Sequence, residues 1–237
     1  MERLKNYDDW SLLSRLGVFV VTASLLWSAW FWWRPPAPML SLRAINHLPE
    51  SEMQVALTFD DSPHPLTTPL LLAALKRADV KATFFVVGDG LRHYPELARR
   101  IVADGHALAN HSQHHHNLTT IPPQRYADEV FSCFRAIHGL GERQPWRDTR
   151  LFRPPGGGLD RAAMQYLHAN DVTLAWWSNN VGDWAPMKSW QIIYHIRHSL
   201  RPGDIILLHD AGTSTPQAIP AIVREARERG LEFVTLY

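Results

Sequence analysis

Histidines crowd the stretch "ALANHSQHHHNL" at residues 107–118, where His111, His114, His115 and His116 lie close together. Neutral imidazole offers a free lone pair near pH 7, its unperturbed pKa being about 6.5, so such a stretch is suited to holding a metal ion. A solvated His-rich loop has the same composition, and composition fixes no geometry. In a helix, positions i and i+4 share a face, which suits His111 with His115; His111 with His114, at i and i+3, does nearly as well. Other segments carry complementary groups: the adjacent carboxylates Asp60 and Asp61 in "TFDDSPHP", Arg153 in "RPPGGG", Asp183 in "SNNVGDW" and His209 in "LLHD". Together these make up a metal-assisted acid and base site. Turn formers would occupy such places in any protein, but turn chemistry does not call for paired carboxylates, a histidine pair and a lone histidine.

The elements that must position these residues are legible from residue 53 onward. Short β-rich runs, "QVALTF", "ATFFVV", "HALAN", "RLF", "VTLAWW", "DIILL" and "LEFVTL", alternate with helical patterns at 67–78, 95–104, 122–138, 160–170, 190–200 and 216–229. Repeated strand and helix alternation argues for a parallel α/β fold, either a barrel or a doubly wound sheet. In both, chemistry collects just past the C-terminal ends of the strands, which is where the charged residues above fall.

A chain of 237 residues, 46% hydrophobic and 20% charged, has room for one sizeable domain. A formal net charge of +1, with Lys and Arg scattered, supplies no field for nucleic acid, and no nucleic-acid partner is expected. The single cysteine, Cys133, excludes an intrachain disulfide and a cysteine-rich zinc site; beside Phe131 and Phe134 it reads as a small buried hydrophobe. Residues 16–33 carry no charge, and as a helix they would span roughly 27 Å, close to the ~30 Å hydrocarbon core. Arg3, Lys5 and Arg15 precede the run, and Trp27, Trp30, Trp32 and Trp33 crowd its far end. The positive-inside bias and the aromatic belt then give a cytoplasmic segment at 1–15, an uncleaved single-pass anchor at 16–33, a linker at 34–52 and a catalytic domain at 53–237. Bulky aromatics stand where signal cleavage needs small residues. The expected location is the cell inner membrane, with the domain on the periplasmic or extracellular side.

The segments "TFDD" (58–61), "HSQHH" (111–115), "RPPGG" (153–157), "DW" (183–184) and "LLH" (207–209), in this order, give residues 53–237 a resemblance to the polysaccharide deacetylase family, carbohydrate esterase family 4 or NodB-homology domain. The resemblance implies a deformed (β/α) barrel that removes acetyl groups from sugars. It implies Asp61, His111 and His115 as ligands of a divalent metal, zinc by expectation, with His114 and His116 as bystanders. It implies Asp60 as the general base toward the attacking water, Arg153 as the residue that orients it, and His209 as the general acid. Leu207 and Trp184 would wall a pocket for the acetyl methyl, and Gly156, Asp183 and Asn180 count with them on the substrate side.

Three positions depart from the family pattern. Ser62 replaces a glycine. Gly156 replaces an aromatic whose backbone N–H serves the oxyanion. Asn180 stands where the resemblance expects an aspartate supporting the catalytic histidine. The expected function is a metal-dependent hydrolase acting on N-acetylhexosamine units of an envelope or extracellular glycan. A deacylase of a lipid-linked sugar and a carbohydrate-binding pseudoenzyme are the alternatives. The charge-free run also has a direct consequence: the full chain should pellet with membranes and resist carbonate extraction, and a reporter fused after Tyr237 should work only outside the cytoplasm. Cytoplasmic reporter activity would reverse the orientation.

Overall fold

In a computed structural model, which describes residues 43–140 and 149–237, the apolar runs form one parallel sheet. Its strands are β1 (Ala44–Ile45), β2 (Gln54–Ser62), β3 (Thr83–Val86), β4 (Ala107–Asn110), β5 (Leu151–Phe152), β6 (Thr173–Ala175), β7 (Asn179–Asn180), β8 (Ile205–His209) and β9 (Glu232–Phe233). Their order is β1-β6-β5-β4-β3-β2-β8-β7, with β9 alongside the start of β2. Consecutive strands β2 to β6 follow one another in space, and the path ends at β1 and β7, which share no ladder. The sheet is therefore a curled, open form of the expected barrel. The expected segment at 1–15 and anchor at 16–33 lie outside the described residues. Among the described residues no helix is long and apolar enough to cross a membrane.

Both faces of the sheet are covered, as the near-continuous apolar character of the parallel strands requires. The outward side chains Leu57, Phe59, Phe84, Ile206 and Leu208 pack under the helices. Their alternates Ala56, Phe85, Ala109, Ala175 and Ile205 fill the inside of the curl. The helices are α1 (Thr68–Ala78), α2 (Gly88–His93), α3 (Pro95–Ala103), α4 (Tyr126–His138), α5 (Arg161–Ala169), α6 (Ser189–Ser199) and α7 (Ser214–Glu228). Prolines at the first turns of α1 and α3 supply the φ that helix entry needs, and the Asp160 carboxylate caps α5 by accepting from the Ala163 N–H at 2.8 Å. Cys133 is buried in α4 and its thiol donates to the Val86 carbonyl, so it packs as expected; burial pushes its pKa up.

Elements that sequence periodicity does not reveal are short ones. Strands of two residues, such as β1 and β7, cannot display alternation. The α2 sequence "GDGLRH" carries two glycines, poor helix formers. Its first N–H groups donate instead to the carbonyls of Ser112 and Gln113 at 3.0 and 2.9 Å, and Leu91 is buried beneath it. The linker expected at 34–52 is also revised. β1 pairs in parallel with β6, and the Leu48 N–H donates to the Gly203 carbonyl at 2.8 Å, so the sheet begins well before residue 53.

Register then delivers the chemistry. Asp60 on β2 stands opposite His209 on β8, and Asn110 on β4 stands opposite Phe152 on β5, so that His111 and Arg153 leave neighbouring strand ends together. The packing of the β1 segment rests on Gly203, whose φ is +84° and where an added Cβ would lie 2.1 Å from the His47 ring and 2.5 Å from the Leu48 carbonyl oxygen. Gly203→Ala should lower the unfolding free energy by about 2–4 kcal/mol, from left-handed strain plus overpacking. Urea unfolding checks this, and an unchanged midpoint would mean that residues 44–48 are not held on the sheet.

Candidate active site

A cavity of about 420 Å³ opens at the C-terminal ends of the strands and is lined by Asp60, Asp61, His111, His115, Gly156, Trp177, Asn180, Trp184, Leu207 and His209 among others. Asp60 sits at its floor, buried. One of its oxygens, Oδ1, accepts from Arg153 Nη1 at 2.7 Å, which leaves Oδ2 on the side of the histidines, 3.6 Å from His111 Nε2. Arg153 is wholly enclosed. Its guanidinium also donates to Thr58 Oγ1 (2.9 Å) and to the carbonyls of Ala175 and Trp176 (3.0 Å each), and its central carbon lies over Phe85, 3.8 Å from the ring centre. A buried charge needs this degree of compensation.

The adjacent residue, Asp61, takes a different direction because its φ is +69°. Its Oδ1 is buried, yet no hydrogen bond reaches it. His115 Nε2 stands 3.1 Å away and His111 Nε2 3.6 Å away. The donor atoms of all three residues lie within 4.8 Å of one another. His111 donates from Nδ1 to the Arg153 carbonyl at 2.8 Å, which leaves Nε2 with its lone pair turned to Asp61. Burial alone would raise the Asp61 carboxyl pKa, but His115, His111 and His209 outweigh it and hold it below the ordinary value. Burial likewise depresses His111, against the opposing fields of Asp60 and Asp61. An ionised carboxylate and a neutral imidazole are the forms that ligate. These residues fit a divalent ion: it would satisfy the orphaned oxygen and meet nitrogen and oxygen donors with positions to spare.

Backbone geometry keeps the ligand loop in place. Asn110 Oδ1 accepts the Ser112 N–H at 2.8 Å while its amide donates to the Val130 carbonyl at 2.7 Å, and Ser112 and His115 both have positive φ. The segment is thus a turn rather than the helix on which i and i+4 spacing depends. Gly88 lets Gln113 pack against α2; a Cβ there would meet the Gln113 amide at 2.2 Å.

Across the pocket, His209 Nδ1 donates to Asp183 Oδ1 at 2.9 Å, and the His209 backbone N–H donates to Asp183 Oδ2 at 3.0 Å. The Thr215 hydroxyl donates to the same carboxylate at 2.7 Å. Burial opposes protonation of His209, but the bond to Asp183 and the fields of Asp60, Asp183 and Asp61 prevail, and its pKa is raised. Two expectations are corrected here. Asp183 is not on the substrate side; its side chain is buried behind His209 as the partner of that ring. Asn180 does not hold the position of that partner, because its carboxamide turns back to accept the Gly182 N–H at 3.0 Å, and it is left as a pocket-lining residue. His209 therefore keeps a charged partner. Thr58, Trp177 and Thr215 complete the site without having been expected. Trp177 ends the run "VTLAWW" and was legible as a strand-end residue, whereas nothing local marks Thr215.

Gly156, with φ +63°, lines the pocket beside Leu207, and Trp184 stands exposed at the rim. Replacing Arg153 by Met should destabilise the chain by about 3–5 kcal/mol, because Asp60 is left buried without its cation. Thr58→Val removes two hydrogen bonds, the one accepted from Arg153 and the one donated to the Ile206 carbonyl, but no charge, and should cost only about 1–3 kcal/mol. Denaturant unfolding of the two variants checks the ordering.

The polysaccharide deacetylase family model matches residues 47–175. A peptidoglycan-N-acetylglucosamine deacetylase of Bacillus cereus is 30% identical over 195 residues, covering 80% of this chain and 89% of the relative. A chitooligosaccharide deacetylase of Bradyrhizobium is 38% identical over 156 residues, covering 66% and 70%. Among solved structures, the Bc1960 peptidoglycan N-acetylglucosamine deacetylase superposes with a TM-score of 0.78 at 27% identity, covering 86% of this chain and 95% of that one. With its strand-end motifs and this match over more than half its length, the chain belongs to the polysaccharide deacetylase family.

Proposed function

We propose that this chain is a zinc-dependent deacetylase that removes acetyl groups from N-acetylhexosamine units of an envelope or extracellular glycan, tethered to the inner membrane by its N-terminal segment. The observation that carries the reading is a pocket with a braced carboxylate on one side, His209 bonded to Asp183 on the other, and between them an Asp–His–His set with an orphaned oxygen. An ion held by Asp61, His111 and His115 supplies Lewis acidity to the amide carbonyl and lowers the pKa of water beside it.

The chain's own groups do the rest. Asp60 Oδ2 takes the proton of the attacking water, while Arg153 fixes the carboxylate through Oδ1 so that the free oxygen faces the pocket. The Gly156 N–H stabilises the developing oxyanion. As the C–N bond breaks, His209 gives its proton to the leaving amine, and acetate and the free amino sugar result. Leu207 and Trp184 give the methyl group an apolar wall. A pseudoenzyme would be expected to lack the base, a ligand or the acid, and this chain keeps all of them, with Asp183 in place behind His209.

Two measurements test the division of labour. Asp60→Asn should retain the ion and lose acetate release by roughly 10² or more, as for removal of a general base. Asp61→Asn, His111→Ala and His115→Ala should lose the tightly held ion itself. Elemental analysis beside an acetate assay decides it, and an active Asp60→Asn would place the base elsewhere. The pH profile tests the acid: Asp183→Asn removes the charge that keeps His209 protonated, so the alkaline limb of kcat/KM should move down by about one pH unit, while Asn180→Asp should leave it nearly unmoved.

A further inference from the structure

We propose that His114, His116 and Glu129 form a second divalent-cation site, separate from Asp61, His111 and His115, that takes an imidazole-preferring ion of the zinc or copper class. The chain direction separates the two sets. At His115, φ is +61°, and its ring lies with Asp61; the residues on either side both reach Glu129 on α4 instead.

Glu129 is completely buried, yet half-exposed imidazoles come to it from the surface. His114 Nδ1 lies 2.9 Å and His116 Nδ1 2.7 Å from the same oxygen, Oε1. The other oxygen, Oε2, is engaged by the His114 backbone N–H at 3.1 Å, which fixes the carboxylate's orientation. The Gln113 N–H donates to the Glu129 carbonyl at 2.7 Å, so loop and helix are also joined through the backbone. The ring centres are 5.6 Å apart and tilted by 30°, so neither ring obstructs the other's nitrogen.

Three donor atoms within 4.8 Å are close to what a tetrahedral ion needs. With bonds of about 2.0–2.1 Å, its donors stand roughly 3.3 Å apart. The imidazole-to-carboxylate separations need widen only by roughly half an ångström, and the exposed rings have room to do so. Each ring keeps a proton on its other nitrogen when Nδ1 binds the ion. Two imidazoles and one carboxylate select zinc, copper or nickel over magnesium or calcium, whose shells prefer oxygen throughout. Both rings are exposed and leave the remaining coordination positions to water, whereas the other set includes the buried His111, so this site should be the weaker of the two.

The test titrates the full chain, already holding one equivalent of zinc, with further zinc by calorimetry, with elemental analysis after dialysis. The wild type should take up a second equivalent, bound at least about tenfold more weakly than the first. His114→Ala combined with His116→Ala should abolish that second step and keep the first, while His111→Ala should show the reverse. Glu129→Gln should weaken the second step by at least about tenfold. Its melting curve without metal reports whether the buried change has damaged the fold, in which case the surface double variant carries the test. No second equivalent in the wild type, or a second step unchanged in the double variant, would overturn the proposal. Loss of both steps in the double variant would also overturn it, since the flanking histidines would then serve only to brace His115.

Discussion

The wholly buried guanidinium of Arg153 is the interaction on which the site depends. It leaves the end of β5, crosses the inside of the curled sheet over Phe85, and meets Asp60 at the end of β2. Its remaining donors are taken by Thr58 and by the carbonyls of Ala175 and Trp176 at the end of β6. One cation therefore joins the end of β2 to the ends of β5 and β6, with which β2 shares no ladder, and the Arg153 carbonyl accepts from His111. Desolvating such a pair costs several kcal/mol per ion before its attraction and hydrogen bonds offset it. What the arrangement supplies is geometry: the orientation of the Asp60 carboxylate and the tautomer of His111 are set by the same residue.

A second buried carboxylate secures the opposite wall. Asp210 follows His209, and its backbone N–H donates to the Asp60 carbonyl at 2.8 Å. Its side chain accepts from the hydroxyls of Ser62, Thr67 and Thr68, which tie the loop after β2 to the end of β8. Burial raises the Asp210 pKa against those hydroxyl bonds. Ser62, which departs from the family's glycine, has here a stated partner, since its hydroxyl donates to Asp210 Oδ2 at 2.9 Å. Thr215, Asp183 and His209 are linked on the same side, so His209, like Asp60, is held by a buried partner.

Much of this was legible in the sequence, because strands covered on both faces read as apolar runs and because charged residues gather where those runs end. Asp60, Asp61, His111, Arg153 and His209 were found in that way. What escaped depends on contacts made across the fold. The roles of Asp183 and Asn180 differ by where a turn aims two neighbouring side chains, and spacing along the chain does not carry that direction. The positive φ values at Asp61, Ser112 and His115 separate side chains that a helical reading would group by face. The same turn sends His114 and His116 to a buried glutamate one helix away, which no local pattern in "HSQHHHNL" announces. Strand β1 and helix α2 exist through tertiary pairing, with too few residues or too many glycines to be read alone.

The central claim is that the Asp61, His111 and His115 set holds an ion on which the work of Asp60 and His209 depends. The most direct measurement is acetate release from an N-acetylated glycan, such as peptidoglycan or an acetylated chitooligosaccharide, by the full chain before chelation, after removal of metal, and after return of one equivalent of zinc. The account predicts release in the first state, its loss in the second and its recovery in the third. Undiminished release by the metal-stripped chain, or none from any acetylated glycan by the loaded one, would contradict it.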